Sequence, residues 1–90
     1  MKAKSGFILR SVMDEFFLMP VGENLNTYRG AVLMNRVSAY IWEQLQTPVS
    51  REDLLAAVLQ RFDVDEMQAT ADMDRFLDKL DQLGIIEILA

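Results

Sequence analysis

Apolar and polar positions change their period along this chain. Between Phe7 and Met19 the apolar residues form two dense runs, Phe7-Ile8-Leu9 through Val12-Met13, then Phe16-Phe17-Leu18-Met19. Aromatic and branched side chains at such density predict strands. Asp14-Glu15 between the runs predicts a tight hairpin turn, although neither is the glycine that type I′ turns favour. Pro20 has no N–H for a ladder and ends the second strand. Val21 to Gly30 holds two Gly and two Asn and reads as a loop. Ala31-Val32-Leu33-Met34 predicts a third short strand, beginning near Tyr28. Three strands are not stable alone, so helices must cover one face.

Three helical patterns follow. Asn35 stands where an N-cap is needed, and Val37, Ile41 and Leu45 then recur every four residues with Trp42 on the same arc. Thr47-Pro48 stops that helix. Ser50-Arg51-Glu52-Asp53 has the form of a capping box, with Val49 placed to staple onto Leu54. Leu54, Leu55, Val58, Leu59 and Phe62 make one stripe. Asp65 with Gln68 opens a third helix that runs to Gly84 as its C′ residue. On it Ala69, Met73, Phe76, Leu77, Leu80 and Leu83 share a face about 120° wide. Ile85 to Leu89 is a short tail with strand propensity. The reading is an α+β domain spanning residues 1–90, with an N-terminal three-stranded antiparallel sheet packed on three helices.

Composition then narrows the chemistry. The 90 residues are 51% apolar and 26% charged, the profile of one ordinary globular domain. There is no Cys and no His, which removes disulfides, Cys/His zinc sites, thiolate nucleophiles and imidazole bases. The net charge of −5 is unevenly spread: residues 1–42 carry five cations against three acids, and residues 43–90 four cations against eleven acids. A phosphate backbone draws proteins with a basic face. The third helix instead has six acids from Asp65 to Asp81 against Arg75 and Lys79. Apolar runs of four or five residues fall far short of the ~20 that a membrane helix needs. Lys2 and Lys4 before Phe7-Ile8-Leu9 have the charge of a signal peptide, but Arg10 breaks the apolar stretch. The expectations are a cytoplasmic protein, no nucleic-acid partner and no membrane partner.

No catalytic set assembles. Asp74 and Asp78 share a helical face, a spacing that serves acid–base work or a hard cation, but interleaved Arg75 and Lys79 make this an ordinary solvated face. Asp63-Val64-Asp65-Glu66 lacks the glycine and the bidentate glutamate of a calcium loop. Ser11, Ser38 and Ser50 have no histidine to activate them. Gly6, Gly22, Gly30 and Gly84 are too scattered to cradle a phosphate. Trp42, at its helical phase, is core. No catalytic residue, metal ligand or cofactor is expected.

The order strand–strand–loop–strand–helix–helix–helix resembles the PqqD-like family, the pyrroloquinoline-quinone biosynthesis protein D group, also called RiPP recognition elements. The residues that carry the resemblance are Leu9-Arg10-Ser11-Val12, Val32-Leu33-Met34-Asn35 and Ser38-Ala39-Tyr40-Ile41-Trp42-Glu43-Gln44-Leu45. Val49 to Leu54, Phe62-Asp63-Val64-Asp65, Ala71 to Leu80 and Leu83-Gly84-Ile85-Ile86 continue it, so it covers residues 7 to 89. Met34 stands between Leu33 and Asn35, where the family pattern tends to have Leu directly before Asn.

The resemblance implies a winged-helix-like fold that binds the leader of a precursor peptide and presents the remainder to a modifying enzyme, of radical-SAM or cyclising type. It implies that the leader lies as an added strand along the third strand, in a cleft lined by the third helix. On this chain those positions are Tyr28, Arg29, Ala31, Val32, Leu33, Met34 and Arg36. On the helix they are Met67, Thr70, Ala71, Asp74 and Asp78, one flank of the buried stripe. An exposed edge strand suits such binding because its unpaired N–H and C=O groups accept a strand while neighbouring side chains select it. Two other readings stay open: a homodimer formed through the same edge strand, and a winged-helix DNA-binding regulator, which the acidic third helix opposes.

Overall fold

The dense N-terminal runs form a hairpin. In the computed structural model, which describes residues 1–28 and 31–88, strand β2 (Phe7–Val12) pairs antiparallel with β3 (Glu15–Pro20). A two-residue strand, β1 (Lys2–Ala3), precedes them. The hairpin loop is Met13-Asp14, one residue earlier than the sequence suggested, and both residues have positive φ, 49° and 69°. Two positive φ values in a two-residue loop match the right-handed twist of the flanking strands. The register explains the shift. With Leu9 opposite Leu18 and Ser11 opposite Phe16, Phe7, Leu9, Phe16 and Leu18 share the face turned to the core. A one-residue slip would turn that set to solvent.

Strand β4 (Val32–Met34) adds to β3, with Leu18 opposite Val32, Phe17 opposite Leu33 and Phe16 opposite Met34. Val32 and Met34 therefore face inward and Leu33 outward, so Met34 is buried and Leu33 is 64% exposed. The residue that departs from the family pattern is the inward one. β4 starts later than the expected Tyr28. Gly22–Asn26 coil into a short 3-10 helix, and the Tyr28 ring turns edge-on to Phe7, centroids 5.1 Å apart. The strand order is β2-β3-β4, so β3 flanks β4 on one side only.

The helices start where the caps predict. In α1 (Arg36–Gln44) the Asn35 side chain accepts from the Ser38 N–H at 2.8 Å. In α2 (Arg51–Arg61) Ser50 Oγ accepts from Asp53 N–H, and in α3 (Glu66–Gln82) Asp65 accepts from Gln68 N–H, each at 3.1 Å. Each cap satisfies an amide that the helix leaves without a partner, worth about 1 kcal/mol. Beyond α3 the chain turns at Gly84, whose φ of +73° is the left-handed conformation that ends helices.

The helices and the inner sheet face enclose one core, in which Leu18, Ile41, Leu45, Leu54, Met73 and Leu80 are fully buried. Trp42 is in it too, as its phase indicated. Phe76 is only half-buried and Leu83 is 39% exposed, so the buried stripe of α3 is narrower than the sequence suggested. The tail forms β5 (Ile86–Glu87), which pairs with β1, a strand the periodicity did not reveal. Two residues are too short to show alternation. What holds β1 is the Ala3 N–H donating to the Leu45 carbonyl at 2.7 Å and the Lys4 N–H donating to the Ile85 carbonyl at 2.8 Å. The fold is the expected winged-helix-like α+β arrangement.

Candidate functional site

The open side of β4 is the place where the sheet can still accept a strand. Alternate N–H and C=O groups of an edge strand point away from its partner and need hydrogen bonds. Nothing among the described residues pairs with that side of β4. The edge is short and carries no charge: Val32, Leu33 and Met34.

Two hollows lie beside it, one at each end. Next to Val32 is an apolar recess of about 230 Å³, bounded by Phe7, Leu18 and Tyr28 on the sheet side and by Leu83 and Ile85 beyond α3. The Tyr28 hydroxyl donates to the Gly84 carbonyl at 3.4 Å and fixes one wall. At the other end, just after Met34, is a groove of about 100 Å³ between the first turn of α1 and the start of α3. Asn35, Val37 and Ser38 face Gln68, Ala69, Asp72 and Met73 across it. Its polar rim is organised: Gln68 Nε2 donates to Asp72 Oδ1 at 2.9 Å, and Arg75 donates to the same oxygen at 3.3 Å. A chain lying along β4 would thus pass an apolar recess at one end and an amide–carboxylate rim at the other.

Of the residues that sequence reasoning singled out, the structure gathers Tyr28, Val32, Leu33 and Met34 at this edge, with exposed Ala31 before it, whereas exposed Arg36 lines a hollow on the other side of α1. Arg29 lies outside the described residues. The α3 set is placed differently. Asp74 is clamped by Arg51 at the start of α2, and Asp74 and Asp78 line a separate hollow with Leu77, Asp81, Met1 and Ile86. Helical phase puts Met67, Thr70 and Ala71 on this same flank. The flank that shares a groove with the residues after β4 carries Gln68 and Asp72 instead. Periodicity locates the buried stripe of a helix but is symmetric about it. Which side of the stripe faces the first turn of α1 depends on how α3 packs, and no residue pattern signals that.

Electrostatics separates the two flanks. The Arg51 guanidinium donates two hydrogen bonds to Asp74 and holds its carboxyl below the usual carboxylate range, and the pair raises Arg51 in turn. No cluster of three or more potential metal ligands occurs among the described residues, and no helix there is long and apolar enough to cross a membrane.

The fold and this cleft define a small α+β domain with an open strand edge running beside a helix. The family model of coenzyme PQQ synthesis protein D matches residues 16–86, and the chain belongs to that family. Among solved structures it is similar to TbiB1 in complex with the TbiA(beta) leader peptide, with a TM-score of 0.72 and 21% identity. That alignment covers 100% of this chain and 99% of the other, and at such identity it establishes the shared fold. No curated protein matches the chain by sequence.

Proposed function

We propose that this chain is a non-catalytic peptide-binding module. It takes the leader of a precursor peptide as an added antiparallel strand on β4 and presents the remainder to a modifying enzyme. The observation that carries this reading is the uncharged open edge of β4 set between an apolar recess and a polar groove. Family membership supports it, as does the shared fold with a protein solved holding a leader peptide. Main-chain pairing tolerates many sequences, so selection falls to the side chains around the edge. An apolar leader side chain fits against Val32 and Leu83, and a hydrogen-bonding one against Gln68 and Asp72. The absence of Cys and His from the chain accords with a module that leaves the chemistry to its partner.

The test is an amide-shift titration with the leader peptide of the cognate precursor. Expected are saturable shifts at Val32–Met34, Tyr28 and Gln68–Asp72. Changes confined to α2 or to the Met13-Asp14 turn place the peptide elsewhere. Two variants discriminate between the flanks of α3. Gln68→Arg crowds the groove and weakens binding, whereas Ala71→Arg, on the flank facing Arg51, leaves it unchanged. The reverse result assigns the peptide to the Met67–Asp78 flank. A dimer-sized mass in gel filtration, with no leader bound at high micromolar concentration, would instead mean that a second copy occupies the β4 edge.

A further inference from the structure

A third hollow, of about 160 Å³, lies across α1 from the groove beside β4. Arg36, Tyr40 and Glu43 line it from the opposite side of α1, Arg61 and Phe62 from the end of α2, and Phe16 from the sheet. Tyr40 meets Phe62 edge-on with centroids 5.5 Å apart, and the Arg61 guanidinium lies 5.5 Å above the Phe62 ring. Stacking on a ring holds a guanidinium in place while its N–H fork stays free for a carboxylate. The ion pairs among the described residues are Arg51–Asp74 and Arg75–Asp72, so neither Arg36 nor Arg61 has an acidic partner there. In a chain with five more acids than bases, Arg36 and Arg61 outnumber the one acid lining the hollow, Glu43, and give a local patch of the opposite sign around an aromatic floor.

We propose that this hollow docks an acidic segment of the modifying enzyme, with a carboxylate between Arg36 and Arg61 and an apolar side chain on Tyr40 and Phe62. The inference rests on the presenting role assigned above. A module that presents a peptide must hold the enzyme on a surface the peptide does not cover. A chain bound along β4 occupies the α3 side of α1 and leaves the Arg36–Arg61 side open. Charge complementarity selects the occupant: arginine and aromatic side chains are the groups that anchor protein interfaces, and a carboxylate is the partner that a guanidinium fork fits.

Two measurements test it. The first titrates the ¹⁵N-labelled protein with a capped synthetic peptide alternating glutamate with leucine and phenylalanine, and with the same peptide carrying lysine for glutamate. Expected are saturable shifts at Tyr40, Arg61 and Phe62 with the acidic peptide only, weakened by salt. Shifts centred on the Asn35–Asp72 groove, or equal for both peptides, overturn the proposal. The second measures association with the modifying enzyme of the same precursor. Arg61→Glu should weaken it about tenfold, as loss of a well-placed interface charge does, while leader affinity stays within about twofold. Arg61→Gln, which removes the charge without reversing it, should show a smaller loss. Enzyme association untouched by either variant overturns the proposal. Loss of leader binding in the unaltered protein strikes the β4 reading instead, and the acidic-peptide titration does not depend on it.

Discussion

Arg51 and Asp74 tie the first turn of α2 to the middle of α3 through two parallel hydrogen bonds, Nε to Oδ1 at 2.8 Å and Nη2 to Oδ2 at 2.7 Å. Both side chains are 45% exposed, so the pair is solvent-screened and its geometry matters more than its energy. Because Asp74 titrates below its unfolded value, its contribution is present above the ordinary carboxylate pKa of 3.8 and is lost as pH falls through the folded value. Thermal midpoints of the parent protein and of Asp74→Asn should therefore differ slightly at neutral pH and converge as the pH falls below the ordinary carboxylate range. A difference that grows in acid contradicts this.

The core prediction concerns residues with no exposure to relax into. Leu80→Ala and Ile41→Ala each empty a fully buried site and should cost about 2–5 kcal/mol, a large share of the stability of a domain this small. Phe76→Ala should cost less, because that ring is only half-buried. Urea midpoints give the ranking, and equal losses at all three positions would contradict it.

The Met13-Asp14 turn holds two left-handed residues without glycine. Asp14→Gly should raise stability by about 0.5–1 kcal/mol, since the left-handed region is strained for residues with a Cβ. Differential scanning calorimetry reads the gain. The same change at Glu15, which is in strand β3, should destabilise, and that contrast fixes the turn register.

Leu83 offers a way into the apolar recess without disturbing the core, because it is 39% exposed while lining the recess with Val32. Leu83→Arg should fill the recess, reduce leader affinity by about tenfold through loss of an apolar anchor, and leave the urea midpoint nearly unchanged. Calorimetric titration gives the first number. Unaltered affinity would remove the recess from the peptide site.

Local chemistry in the chain decided much of this structure. Asn35, Ser50 and Asp65 each set a helix start, because a side-chain oxygen three residues ahead of a free amide needs no tertiary help to find it. Gly84 set the end of α3 for an equally local reason, its left-handed φ. Alternation chose the inward faces of β2 and β3, and period-four spacing chose Ile41, Leu45, Met73 and Leu80 for the core. The candidate strand edge at Val32–Met34 was legible for the same reason. Tertiary packing decided the rest. The hairpin turn moved to Met13-Asp14 because pairing Leu9 with Leu18 serves the core, and the turn residues yielded to it. β1 exists because the Leu45 and Ile85 carbonyls, far along the chain, accept its amides. Above all, packing chose the flank of α3 that faces the first turn of α1, just after β4. A helical stripe has two borders of equal standing in sequence, and only the docking of α3 on α1 and α2 turned Gln68 and Asp72 toward Asn35, Val37 and Ser38 at the start of α1, and Asp74 toward Arg51.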